Sequence, residues 1–108
     1  MLNNGARMDI ANKGGWTLLY AAAEAGHVEI LQELLNRGAG MDIANKFDFT
    51  PLHAAAIRGH VEVVQELLNR GARMDIANKF GFTPLHAAAI RGHMEVVPRV
   101  AESWCWNG

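Results

Sequence analysis

The side chains with the greatest chemical capacity in this sequence are its histidines. His27, His60 and His93 recur every 33 residues in Gly-His pairs, and His53 and His86 recur in Thr-Pro-Leu-His. Imidazole is both a common metal ligand and a common acid-base group, so zinc binding and proton transfer are the chemistries to weigh. A zinc site needs about four converging ligands, usually Cys and His at short local spacing, and this chain offers isolated residues instead. The single cysteine, Cys105, lies near the C-terminus between Trp104 and Trp106 with no histidine beside it in sequence, so it makes a poor nucleophile and no intrachain disulfide. Glu62 and Glu66 fit a solvated helix face, Thr-x-x-His fits a helix cap, and no glycine-rich phosphate loop accompanies them. The regular recurrence of the histidines points to a structural role, and the chain is expected to be neither an enzyme nor a metal protein.

The elements that position these residues are themselves repeated. Asp9-Ile10-Ala11-Asn12-Lys13 returns at Asp42 to Lys46 and at Asp75 to Lys79, and the segments Asn45 to Val64 and Asn78 to Val97 differ only at Asp48/Gly81 and Val61/Met94. In the middle unit Thr50 is suited to cap a helix and Pro51 to occupy its first position, where a missing amide hydrogen costs nothing. Gly59 then supplies a stop. From His60 onward Val63, Val64, Leu67 and Leu68 mark the apolar side of a second, amphipathic helix that Gly71 ends. Gly71 to Phe82 passes through Asn78-Lys79-Phe80-Gly81, whose ends suit a type I turn and hence a hairpin-like loop. Helices this short are marginal alone in water, so stacking of neighbouring pairs must hold them. The expected fold is all-α, a solenoid of helix-turn-helix repeats with protruding hairpin loops.

The string GFTPLHAAAIRGHMEVV, with the preceding LLNRGARMDIANK, resembles the ankyrin repeat. The likeness covers roughly residues 2–97. It implies a curved stack whose concave surface, made of hairpins and first helices, binds another protein, with no cofactor, and it implies that His53 and His86 bond near the loop backbone and brace adjacent repeats. The expected organisation is a repeat array over 1–97, with a partial leading repeat at 1–11, repeat 1 at 12–44, repeat 2 at 45–77 and an incomplete repeat 3 at 78–97, followed by a non-repeat tail at 98–108. Leu18 and Tyr20 replace Pro and His in the first unit, and Asp48 replaces a turn glycine in the second, so some stability should be lost and the turn at Asp48 strained or rearranged.

Phe47, Phe49, Phe80 and Phe82 precede the first helices, and Trp16 is equivalent to Phe49. In an extended arm residues two apart share a side, so each Phe pair can form an aromatic ridge. By the resemblance Lys46, Lys79, Ile57, Arg58, Ile90 and Arg91 fall beside it. These eleven residues form the candidate partner-binding surface, because aromatics and arginine anchor protein interfaces. The competing reading is internal, with Phe49 and Phe82 shielding one repeat from the next.

Charge and composition bound the alternatives. Ten basic against eleven acidic residues give a net charge of -1, which leaves no footprint for nucleic acid. No uncharged apolar run approaches the roughly 18 residues of a membrane span, and the start lacks signal-peptide layout. With one cysteine, an intracellular, cytoplasmic setting is expected. The chain begins in the tail of a repeat and Pro98 stands where Gln65 lies in the middle unit, so uncapped ends that join copies into a homo-oligomer, and a helix broken at Pro98, are also expected. Near identity of two units favours an engineered or recently duplicated array, a designed, consensus-like module, over a fragment or a frame change near Val97.

Overall fold

The computed structural model describes residues 10–91. The proposed break at Pro98, the tail with Cys105, His93 and most of the partial leading repeat lie outside the described residues. Five helices follow in order: α1 Leu18–Ala25, α2 Val28–Asn36, α3 Pro51–Arg58, α4 Val61–Asn69 and α5 Pro84–Arg91, with no strand among the described residues. The fold is the all-α solenoid expected.

Each first helix starts where the sequence asks it to. Thr50 is extended at the N-cap, its Oγ1 accepts from the His53 amide at 3.3 Å, and the His53 ring in return accepts the Thr50 amide, so His53 completes a capping box usually closed by Glu or Gln. Pro51 opens the helix. In α1 Leu18 takes that place, yet Thr17 still caps the Tyr20 amide at 3.2 Å. Gly26 and Gly59 stop α1 and α3 in the left-handed region, at φ of 81° and 75°. The second helices stop where their glycines ask: α4 ends at Asn69 with Arg70 as its C-cap, and Ala72 donates to the Leu67 carbonyl at 2.9 Å across the left-handed Gly71, a Schellman closure. Exposed Arg37–Glu33 and Arg70–Glu66 pairs at 2.7 Å add only about 0.3–0.5 kcal/mol each.

The three consecutive alanines of each first helix divide the packing among three directions. Ala22, Ala55 and Ala88 are buried in every repeat and so face their own second helix or its vicinity. Ala54 and Ala87 are buried but Ala21 is exposed, so this position faces the preceding repeat; Ala23 and Ala56 are buried but Ala89 is exposed, so that one faces the following repeat. A methyl group on each side lets successive first helices approach closely, and the α1–α3–α5 layer carries more of the inter-repeat packing than the α2–α4 layer. Leu19, Leu31, Leu52, Val63, Val64 and Leu67 fill the continuous core between the layers. Burial of this kind, about 1.5–3 kcal/mol for each large aliphatic side chain, is what short helices lack when alone.

Candidate functional site

The surface named from sequence is built on three turns, each locked by an asparagine. Asn45 is buried, and its Oδ1 accepts from the Phe47 and Phe49 amides at 2.9 and 3.1 Å; Asn78 holds Phe80 and Phe82 at 2.8 and 3.0 Å, and Asn12 holds Gly14 and Trp16 at 2.9 and 3.1 Å. The fourth turn residue is left-handed in each case: Gly15, Asp48 at φ 67° and Gly81. Asp48 keeps the closing bond to the Asn45 carbonyl at 2.9 Å, the same length as from Gly81 to Asn78. The turn at Asp48 is therefore not rearranged; aspartate adopts the glycine conformation. The Lys79 amide donates to the Phe47 carbonyl at 2.9 Å, and the Lys46 amide reaches the Gly14 carbonyl at 3.4 Å, so the turns stand in a bonded row.

This geometry corrects the extended-arm premise. A left-handed residue separates the two aromatics of each pair, so simple alternation does not place them on one side. Phe80 and Phe82 nevertheless meet across a shallow cleft of about 190 Å³, lined also by Phe49, Ile57, Asn78, Ala87 and Ile90. Phe47 sits beneath Nζ of Lys79, 5.6 Å from the ring centroid. Trp16 stacks on Tyr20 at 5.5 Å. Arg58 is drawn to Glu24 of the preceding repeat, Nη2 to Oε2 at 3.3 Å, and Lys46 is exposed at its turn. The side chain of Arg91 lies outside the described residues. Of the eleven residues, Phe49, Ile57, Phe80, Phe82 and Ile90 thus converge on one cleft. Asn78 and Ala87 were missed; the recurrence of Asn five residues before each capping threonine is the signal that would have found the first.

Two of the histidines, His53 and His60, act as braces between repeats. His53 is fully buried; because Nδ1 accepts from the Thr50 amide at 3.1 Å, the proton sits on Nε2, which donates to the Phe82 carbonyl of the next repeat at 2.8 Å. Burial holds its pKa below the ordinary imidazole value, with the bond to Phe82 opposing in part. Tyr20 occupies the equivalent place in repeat 1, where its hydroxyl accepts from Asn45 Nδ2 at 3.4 Å. Burial, reinforced by Glu24 and partly offset by Arg58, pushes that phenol up to about 12. His60 Nε2 donates to the Glu24 carbonyl at 2.9 Å, and its ring packs on Gly26, where an added Cβ would lie 2.8 Å from Nδ1. Among the described residues no three of His, Cys, Asp and Glu gather into a metal-sized group, and no helix is long and apolar enough to cross a membrane.

Comparison with protein families identifies the repeats. A model described as ankyrin repeats in three copies matches residues 1–78, and a single ankyrin repeat matches residues 80–99. No curated protein gave a match. Modules of this kind generally mediate protein interactions without catalysis. Since the first match alone spans more than half of the sequence, and both complete helix pairs, α1–α2 and α3–α4, lie within it, the chain belongs to the ankyrin repeat family.

Proposed function

We propose that this chain is a scaffold that binds another protein through its hairpin and first-helix surface, with the Phe80–Phe82–Ile90 cleft as the anchor point. The observation that carries the reading is apolar exposure on a rigid frame: Phe80 and Ile90 are 63% and 62% exposed, although the turn and helix beneath them are fixed by buried asparagine and histidine bonds. Aromatic groups held in place at no ordering cost are what a binding hot spot requires. Phe49 and Ile57 also line the cleft, Lys79 stands over Phe47 beside it, and the reading takes in Trp16, Lys46 and Arg58 as further parts of the same surface, with Arg91 included on sequence alone. The reading includes no catalytic group, cofactor or nucleic acid. One cysteine in the whole chain supports a reducing, cytoplasmic setting.

The test is a displayed peptide library selected on the wild-type chain, with the binders then measured against a Phe80→Ser/Phe82→Ser variant. Loss of binding by tenfold or more with helicity retained is expected; binders indifferent to both substitutions sink the proposal. A second reading, a structural module that joins copies of itself, is favoured by one observation: Leu18 and Ile30 are 59% and 53% exposed, whereas their counterparts Pro51 and Val63 are buried. The near identity of repeats 2 and 3 supports an engineered or recently duplicated origin under either reading. Light scattering separates the two readings, since self-association would survive the phenylalanine substitutions and be lost on polar substitution of an end face.

A further inference from the structure

The register of the alanines assigns a backward and a forward face to every repeat, and among the described residues one of each is exposed. At the first repeat the backward face is an apolar hollow of about 350 Å³ that includes Leu18, Ala21 and Ile30. At the third, His86 and Ala89 are exposed where His53 and Ala56 are fully buried. Two hydrogen-bonding groups are left over in the same register. His60 finds the Glu24 carbonyl and His53 finds the Phe82 carbonyl, but among the described residues Nε2 of their equivalents, His27 and His86, meets no such acceptor. Continuing the 33-residue period, the acceptor equivalent to Phe82 at the start of the array is Trp16, and the one equivalent to Glu24 at its end is Ile90.

We propose that copies of this chain associate head to tail, the forward face of one (His86, Ala89) stacking on the backward face of the next (Leu18, Ala21, Ile30). His86 Nε2 donates to the Trp16 carbonyl of the second copy, and His27 of that copy donates to the Ile90 carbonyl of the first. The occupant is a second copy because the chain carries both halves of a contact that it already makes twice internally, α1 on α3 and α3 on α5: Ala21 repeats Ala54 and Ala87, His86 and Ala89 repeat His53 and Ala56, and the apolar Leu18 and Ile30 stand where Pro51 and Val63 are buried. The inference rests on the self-joining reading above and adds its polarity and pairing. Because the two faces are different and lie at opposite ends, the contact does not close on itself, so association continues past a dimer into linear series.

Light scattering on the full chain up to about 1 mM is expected to give a mean mass that keeps rising with concentration. Ile30→Glu blocks the backward face and Ala89→Glu the forward face; both positions are exposed in the single copy, so circular dichroism should be unchanged while each variant stays monomeric. Mixed in equal amounts, the two variants should form a one-to-one complex and nothing larger, since each retains one good face. His86→Ala should weaken association about 3- to 10-fold. If the wild type associates but the mixture stays monomeric, the head-to-tail polarity is wrong and self-joining survives. Single variants that associate like the wild type overturn the face assignment, and a wild type monomeric throughout overturns both the inference and the reading beneath it.

Discussion

Replacing His53 by alanine and, in a separate protein, His86 by alanine makes one chemical change in one local sequence, Thr-Pro-Leu-His-Ala-Ala-Ala-Ile-Arg. The two losses should be unequal. Both imidazoles accept the amide of their capping threonine through Nδ1, at 3.1 Å for His53 and 3.3 Å for His86. His86 is exposed, so water replaces the lost acceptor and removal of the ring costs about 0.5–1.5 kcal/mol. His53 is fully buried and also holds the Phe82 carbonyl at 2.8 Å. Its loss removes two bonds of about 0.5–1.5 kcal/mol each and strands the buried Thr50 amide for about 1–3 kcal/mol more. The total is about 2–6 kcal/mol, a large share of the stability of a domain this size, and its midpoint exceeds that of the His86 loss by about 3 kcal/mol. Urea unfolding followed by circular dichroism, at low concentration and mildly alkaline pH, measures both. Equal losses would refute the claim that the brace to the next repeat, and not the cap, is the main contribution of this histidine.

Three other outcomes follow from the same geometry. Because burial lowers the His53 pKa, the unfolded chain binds a proton that the native chain refuses; stability should be full above about pH 6.5, fall as pH drops through that value, and level off below the native pKa. The urea midpoint of the wild type should show this slope and His53→Gln should flatten it; an unchanged slope assigns the effect elsewhere. Asp48→Gly should stabilise by about 0.5–1 kcal/mol, since it relieves a left-handed aspartate where repeats 1 and 3 carry glycine, and a loss in thermal unfolding would contradict the strain argument. The single tyrosine should titrate by absorbance well above its ordinary value of about 10, towards 12, and stability should decline as pH rises from 10. A midpoint at the ordinary value would show that the phenol is solvated.

Several features were legible from residue order. Thr50 with Pro51, the stop at Gly59 and the valine–leucine stripe of α4 are local signals, and a helix responds to them locally. The turn at Asn78 to Gly81 was readable for the same reason. The candidate surface was only partly readable. Phe49, Phe80 and Phe82 were singled out correctly as lying off the aliphatic core, but the argument from an extended arm failed because Asp48 and Gly81 reverse the backbone between the members of each pair. Arg58 looked available in sequence, and the approach of Glu24 from the repeat before is a matter of stacking.

What the sequence by itself determined is the unit: a 33-residue period, two short helices in each repeat, their caps and the turn that joins one repeat to the next. Those follow from side-chain chemistry acting over three or four residues. Which way each unit faces its neighbours was decided only by the tertiary structure. Ala21, Ala54 and Ala87 are the same residue in the same helical position, as are His53 and His86, yet one of each set is exposed and the others are buried. Their difference lies wholly in whether another repeat stands beside them. Burial and unpaired hydrogen bonds belong to the stack and not to the residue, which is why the cleft, the buried brace and the two open faces emerge only when the repeats are assembled.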